Sequence, residues 1–134
     1  MKQLADYHID DQLPGREWCP SHLQLRQYAE ASGDFNPIHL DESYAGQAGL
    51  GGVVAPGMLT MAQVGVMLTN WIGNRGFLTK FEVRFENVVR PGDRIICSGS
   101  VKEKSADSLT CYLQATNNGQ HRVLSGWAVI SLKR

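Results

Sequence analysis

The clearest pattern in the chain runs from Phe77 to Glu86, where Phe77, Thr79, Phe81, Val83 and Phe85 alternate with Leu78, Lys80, Glu82, Arg84 and Glu86. Strict alternation is the period of a strand with one buried face. Three more strands follow at short intervals: Arg94 to Lys102 after the turn Pro91-Gly92-Asp93, Ser108 to Thr116, and Gln120 to Leu132 after the hairpin turn Asn117-Asn118-Gly119. Upstream the period lengthens. Ser21 with Gln24 three residues on reads as a capping box, opening a helix whose packing face is Leu25, Tyr28, Ala29 and Ser32 and whose left-handed stop is Gly33. Asp41 is placed to cap a short helix through Tyr44 and Ala48, and Val53 to Ala55 reads as extended. Pro56-Gly57 then opens a helix from Met58 to Ile72, about 22 Å long. Its apolar residues go most of the way round, so it needs wrapping. Before Ser21 the periodicity is weak, with a Pro14-Gly15 turn and a short strand over Arg16 to Cys19.

Helices first and consecutive strands afterwards predict an α+β architecture, an antiparallel sheet curled around one long apolar helix. A chain of 134 residues fits a single domain over 1–134, able to bury ~70% of its unfolded surface. From Ser43 to Asn74 there is no charged residue, and Val53 to Ile72 approaches the ~20 residues of a bilayer span. Pro56, Gly57, Thr60, Gln63, Gly65, Thr69 and Asn70 dilute that stretch, so a buried core helix is expected and no membrane span.

Charge narrows the classes further. Thirteen basic side chains balance thirteen acidic ones without a long run of either sign, which leaves no electrostatic footprint for nucleic acid. Cys19, Cys97 and Cys111 are widely spaced and odd in number, which argues against a disulfide framework or a zinc site. With no apolar h-region in MKQLADYHIDDQ, a cytoplasmic setting is the expectation.

The candidate chemistry lies in SGDFNPIHLD, residues 32–41. Asp34 and His39 flank Pro37, which has no N–H to donate and biases Asn36 away from the helical region, so both side chains are presented by a loop or a single turn. A carboxylate and an imidazole holding one water can deliver and remove protons. Read alone, Asp34 and Asn36 could equally cap turns, and His39 could be an ordinary polar residue. Gly57 and Met58 open the apolar helix, whose exposed N–H groups could hold a carbonyl oxygen as negative charge builds on it. On its own, Pro56 would be an ordinary first-turn proline and Gly57 a packing glycine. Lys80, Arg84, Arg90 and Arg94 are candidates to meet phosphate groups, or else the solvated face of a strand. Met58, Met61, Met67 and Trp71 could line an acyl tunnel or be plain core. No His or Cys pair stands at metal-ligand spacing.

SGDFNPIHLD followed by APGML resembles the MaoC-like, (R)-specific enoyl-thioester hydratases and dehydratases, over nearly the whole chain. The resemblance implies a hot-dog fold and reversible addition of water to a trans-2-enoyl thioester. It implies that Asp34 and His39 are the catalytic pair, that Asn36 shapes the site, and that the Gly57 amide, with Met58 beside it, binds the thioester oxygen. Coenzyme A or phosphopantetheine of an acyl carrier protein would enter as part of the substrate, with no other cofactor and no metal. Two positions depart from the pattern: Pro56 where a histidine often precedes Gly-Met, and Gly65 at or near a helix serine; both read as tuning of substrate or geometry. Within the fold, the rivals are an acyl-thioesterase and a non-catalytic or partner-dependent subunit of a heterodimeric dehydratase. A lone hot-dog unit leaves sheet edges bare, so a homodimer is expected, with a heterodimer as the second arrangement.

Overall fold

The computed structural model describes residues 2–133. Its helices are α1 (His22–Ser32), α2 (Glu42–Gln47) and α3 (Gly57–Ile72), and its strands β1 (Arg16–Trp18), β2 (Gly76–Phe85), β3 (Ile95–Lys104), β4 (Ser108–Asn117) and β5 (His121–Leu132). The strands form one antiparallel sheet in the order β1-β3-β4-β5-β2. The α+β reading therefore holds. The β4–β5 hairpin turns where expected, with Asn118 at φ 52° and Gly119 at φ 73°, the left-handed pair that matches the twist of the flanking strands.

Alternation on the central strands builds the core. Ile95, Cys97 and Val101 of β3, Leu109, Cys111, Leu113 and Ala115 of β4, and Leu124, Ala128 and Ile130 of β5 are all fully buried. They share one cluster with Val64, Met67, Leu68 and Trp71 of α3. Each large aliphatic side chain moved out of water there stabilises the fold by about 1.5–3 kcal/mol. No helix among the described residues is long and apolar enough to cross a membrane; α3 is the wrapped core helix.

Three expectations need correction. The alternation of β2 is broken by a bulge between Leu78 and Lys80. The extra residue lets Leu78, Phe81 and Val83 pack against the core together, although 78 and 81 are out of phase for a regular strand, and it leaves Phe77 62% exposed. The capping box is only half formed. Ser21 Oγ accepts from Gln24 N at 3.1 Å, but the Gln24 side chain turns away to accept from the Trp18 indole at 2.7 Å, joining α1 to β1. Finally, α3 is wrapped on one side only. Thr60 and Gln63 are buried while Met58 is 58% exposed, and Ala62 and Thr69 face outward beside it. Successive positions turn by about 100°, so 58, 62 and 69 form one uncharged stripe that the sheet does not cover.

Candidate active site

The segment after α1 is a staircase of side-chain-capped turns. Gly33, at φ 78°, ends α1 with its N–H on Ala29 O at 2.9 Å. Asp34 N donates to Ser32 Oγ at 3.1 Å, Asp34 Oδ1 accepts from Asn36 N at 3.1 Å, and Asn36 Oδ1 accepts from Ile38 N at 3.2 Å. Short polar side chains bonding the backbone two residues on is the behaviour that suits Asx residues to turns. Asn36 thereby caps a single 3-10 turn, Pro37–His39. The turn delivers His39 half-buried, while Asp34 remains exposed.

His39 Nδ1 lies 2.6 Å from the carbonyl oxygen of Val54. A carbonyl only accepts, so Nδ1 carries the proton and the lone pair of the neutral imidazole is left on Nε2. The same residue is held from its other side: Val54 N donates to Ile38 O at 3.1 Å, and Ala55 N donates to Val89 O at 2.7 Å. Three residues after Val54 the chain enters α3 at Gly57. No side chain caps that end, so the N–H groups of Gly57 and Met58 have no intrahelical acceptor and carry the positive end of the helix dipole. The imidazole and the helix mouth are thus tied through one short segment, 54–57.

Gly57 has a packing reason as well as a chemical one. A Cβ there would sit 3.1 Å from the ring of Phe85. Beside it opens a cavity of about 370 Å³, lined by Ala55, Gly57, Thr60 and Phe85 among others. Glu86 borders the same space, and the guanidinium of Arg122, at 2.6 and 2.8 Å, holds its carboxyl below the usual carboxylate range against the opposing effect of burial. His39 itself borders a second cavity of about 420 Å³, next to His22, Arg26 and Phe35. The structure gives no hydrogen bond between Asp34 and His39. Asn36 spends its oxygen on the turn, leaving its amide N–H₂ free, and Met58 projects outward.

Most of the basic residues read as phosphate contacts are committed elsewhere. Arg90 Nη1 donates to Gly52 O at 3.0 Å and Nη2 to Leu50 O, pinning the glycine-rich loop ahead of Val53. Arg94 is paired with Glu17 across the β1 side of the sheet, and Lys80 lies 3.6 Å from Glu82 on its own strand. Arg84 alone of the four has neither a side-chain hydrogen bond nor an ion pair among the described residues. Of the proposed tunnel residues, Met67 and Trp71 are core at 3% and 4% exposure. The sequence reading missed Val54 and Phe85. Val54 acts through its backbone carbonyl, which carries no residue-type signal, and Phe85 reaches Gly57 only through tertiary packing.

A curled antiparallel sheet around a single long helix is the hot-dog fold. It is shared with the unliganded R-hydratase PhaJ1 from Pseudomonas aeruginosa, at a TM-score of 0.88 and 24% identity over 97% of this chain and 84% of that one. It is shared also with a chain of the ChsH1-ChsH2 complex from Mycobacterium tuberculosis, at a TM-score of 0.85 and 17% identity over 94% of this chain and 98% of that one. Residues 8–124 match the MaoC like domain, and the chain belongs to the MaoC-like dehydratase family. The fatty acid synthase beta subunit pigK of Monascus ruber is 33% identical over 97 residues, which are 68% of this chain and 5% of that protein. The chain therefore spans about a twentieth of that relative's length.

Proposed function

We propose that this chain is an (R)-specific enoyl-thioester hydratase, equally a 3-hydroxyacyl-thioester dehydratase, acting on trans-2-enoyl thioesters of coenzyme A or acyl carrier protein in fatty-acyl metabolism. The observation that carries the reading is the His39–Val54 bond. It presents Nε2 as the basic nitrogen and fixes the ring to the segment that leads into the uncapped N-terminus of α3. A water held between Asp34 and His39 adds its oxygen to the β-carbon as the pair takes up one of its protons. The electrons of the double bond move to the thioester oxygen, where the N–H of Gly57 stabilises the enolate. The pair then returns a proton to the α-carbon, which restores the carbonyl and leaves the site unchanged. Asn36 and Met58 shape the entrance, and no cofactor beyond the thioester carrier is needed.

The bare outer stripe of α3 and the exposed Phe77, Phe85 and Val88 support a working dimer, formed with a second copy or with a related hot-dog chain. An acyl-thioesterase would attack the carbonyl itself. The test is the loss of enoyl absorbance with trans-2-enoyl-CoA of short, medium and long chain, run beside Asp34→Asn and His39→Ala. Turnover falling by ~100-fold or more in both variants is the expected result. Hydrolysis that releases free thiol, with no loss of the double bond, would make the thioesterase reading the correct one. A chain that binds every thioester but turns over none, alone or as a dimer, would be a binding subunit.

A further inference from the structure

Thr60 stands one turn inside α3, three residues after Gly57, and is 3% exposed. A helical threonine commonly spends its hydroxyl on a carbonyl three or four residues back, as Thr69 does on Val66 O at 3.3 Å. Thr60 does not. Its backbone N–H donates to Pro56 O at 3.4 Å, and its Oγ1 has no hydrogen bond among the described residues. Buried hydroxyls are usually paired, so an open one asks for a partner. Nor is this oxygen sealed in. Among the described residues the one side-chain nitrogen or oxygen both shut off from solvent and unpaired is the indole Nε1 of Trp71, at the far end of the helix. The space left to the Thr60 hydroxyl is the cavity of about 370 Å³ at the helix mouth, which Thr60 lines together with Ala55, Gly57 and Phe85.

Side chains on a helix tilt toward its N-terminus, and the fourth helical residue reaches back to the level of the residue before the cap. With Pro56 as the cap, Thr60 is set beside Ala55, level with the mouth, and the two share the cavity wall. Gly57 lies on the same face, about 60° round the helix, and has no side chain to intervene. Pro56 has no N–H, so backbone donors begin only at Gly57. We infer that Thr60 is a catalytic residue whose hydroxyl donates a second hydrogen bond to the thioester oxygen held by the Gly57 N–H, an inference that rests on the hydratase reading of the site. As the electrons of the double bond move to that oxygen its charge grows, so a second fixed donor lowers the barrier more than it tightens binding. The hydroxyl keeps its proton, and no bond to Thr60 forms or breaks. The other polar side chains on the wall are committed to Arg122: the Glu86 carboxylate to its guanidinium, and the Asn87 amide to its carbonyl at 2.7 Å.

The experiment compares Thr60→Val, which keeps the shape without the hydroxyl, with Thr60→Ser, which keeps the hydroxyl, in two assays on the full chain. In turnover of trans-2-enoyl-CoA, Thr60→Val should lower kcat by about 100-fold while KM moves by less than about threefold, and Thr60→Ser should recover most of the loss. In the second assay, trans-2-enoyl-CoA labelled with ¹³C at the carbonyl is bound to His39→Ala, where the infrared carbonyl band reports polarisation without turnover. The band should lie below its position in water, move back up when Thr60→Val is added, and stay low with Thr60→Ser. Wild-type turnover matched by Thr60→Val would overturn the inference and leave the hydratase reading standing. A slow Thr60→Val with an unmoved band, or a loss that Thr60→Ser does not recover, would also overturn it, since packing rather than a donor would then be at work. A wild-type chain that hydrates nothing, yet whose band still depends on Thr60, would remove the hydratase reading and keep the contact between hydroxyl and thioester oxygen. A thioester that does not bind at all would overturn both.

Discussion

The two edges of the sheet are finished in opposite ways. On the β3 side the N-terminal segment closes the edge along most of its length. Asp10 N donates to Val101 O at 2.7 Å, Val101 N to Asp11 O at 2.9 Å and Leu13 N to Gly99 O at 2.9 Å, after which β1 pairs with residues 95–97. Ion pairs sit at both ends of this cover, Lys102 with Asp10 at 2.7 Å and Arg94 with Glu17. On the β2 side no described strand follows, and Phe77 and Phe85 stand 62% and 49% exposed. Charge and backbone pairing on one edge, with bare aromatics on the other, fit the proposed use of the second edge as a surface for another chain. The difference also separates two roles. The closed side holds the core together, and the open side adjoins the helix mouth, since Phe85 packs on Gly57.

The largest effect that would break this contrast is at Gly126 of β5, directly opposite Val83 of β2. A Cβ there would lie 2.2 Å from Glu82 O, a backbone atom that cannot swing aside. Gly126→Ala is expected to cost about 3 kcal/mol, visible as a lowered denaturant midpoint. An unchanged midpoint would mean that the open strand is loosely held. Phe77→Lys comes next. Phe77 is 62% exposed, so the fold should keep its stability, while the mass in solution of the proposed dimer falls to that of a monomer. A variant that stays dimeric would place the interface elsewhere.

Thiol chemistry sharpens the contrast from the closed side. Burial pushes the Cys97 thiol up to about 11 and the Cys111 thiol up to about 12, whereas Cys19 is exposed. The native state therefore keeps protons that the unfolded chain gives up above the ordinary value of 9.0. Stability should be insensitive to these thiols below that pH and should fall as pH rises from there toward 11, with the slope reduced in Cys111→Ala. In the native protein a soluble disulfide reagent should find one reactive thiol, and after denaturation three. The smallest effect is expected at Glu17. Its pair with Arg94 is solvent-exposed, so Glu17→Gln should barely move the thermal midpoint, and less still at high salt.

Much of the candidate site is legible in the sequence, because turn chemistry is local. Pro37 and the Asx residues around it dictate where Asp34, Asn36 and His39 can stand, and the hydrogen bonds of 32–39 follow that logic residue by residue. Gly33 as a helix stop and Asn118-Gly119 as a hairpin are equally local. The basic residues were not legible. Arg90 and Arg94 look alike in sequence to Arg84, and only their neighbours across the fold show that two are spent on carbonyls and a carboxylate.

By itself, then, the chain's pattern determined the order of elements, the α+β architecture and the turns that carry the acid and the imidazole, since these depend on interactions within a few residues. Tertiary structure decided the rest. The bulge that turns Phe77 outward, the uncovered stripe of α3, the Val54 carbonyl that selects the His39 tautomer and the cavity that Thr60 shares with Phe85 all join residues distant along the chain. Their energies arise from packing and from backbone atoms, which every residue type shares and no sequence pattern displays.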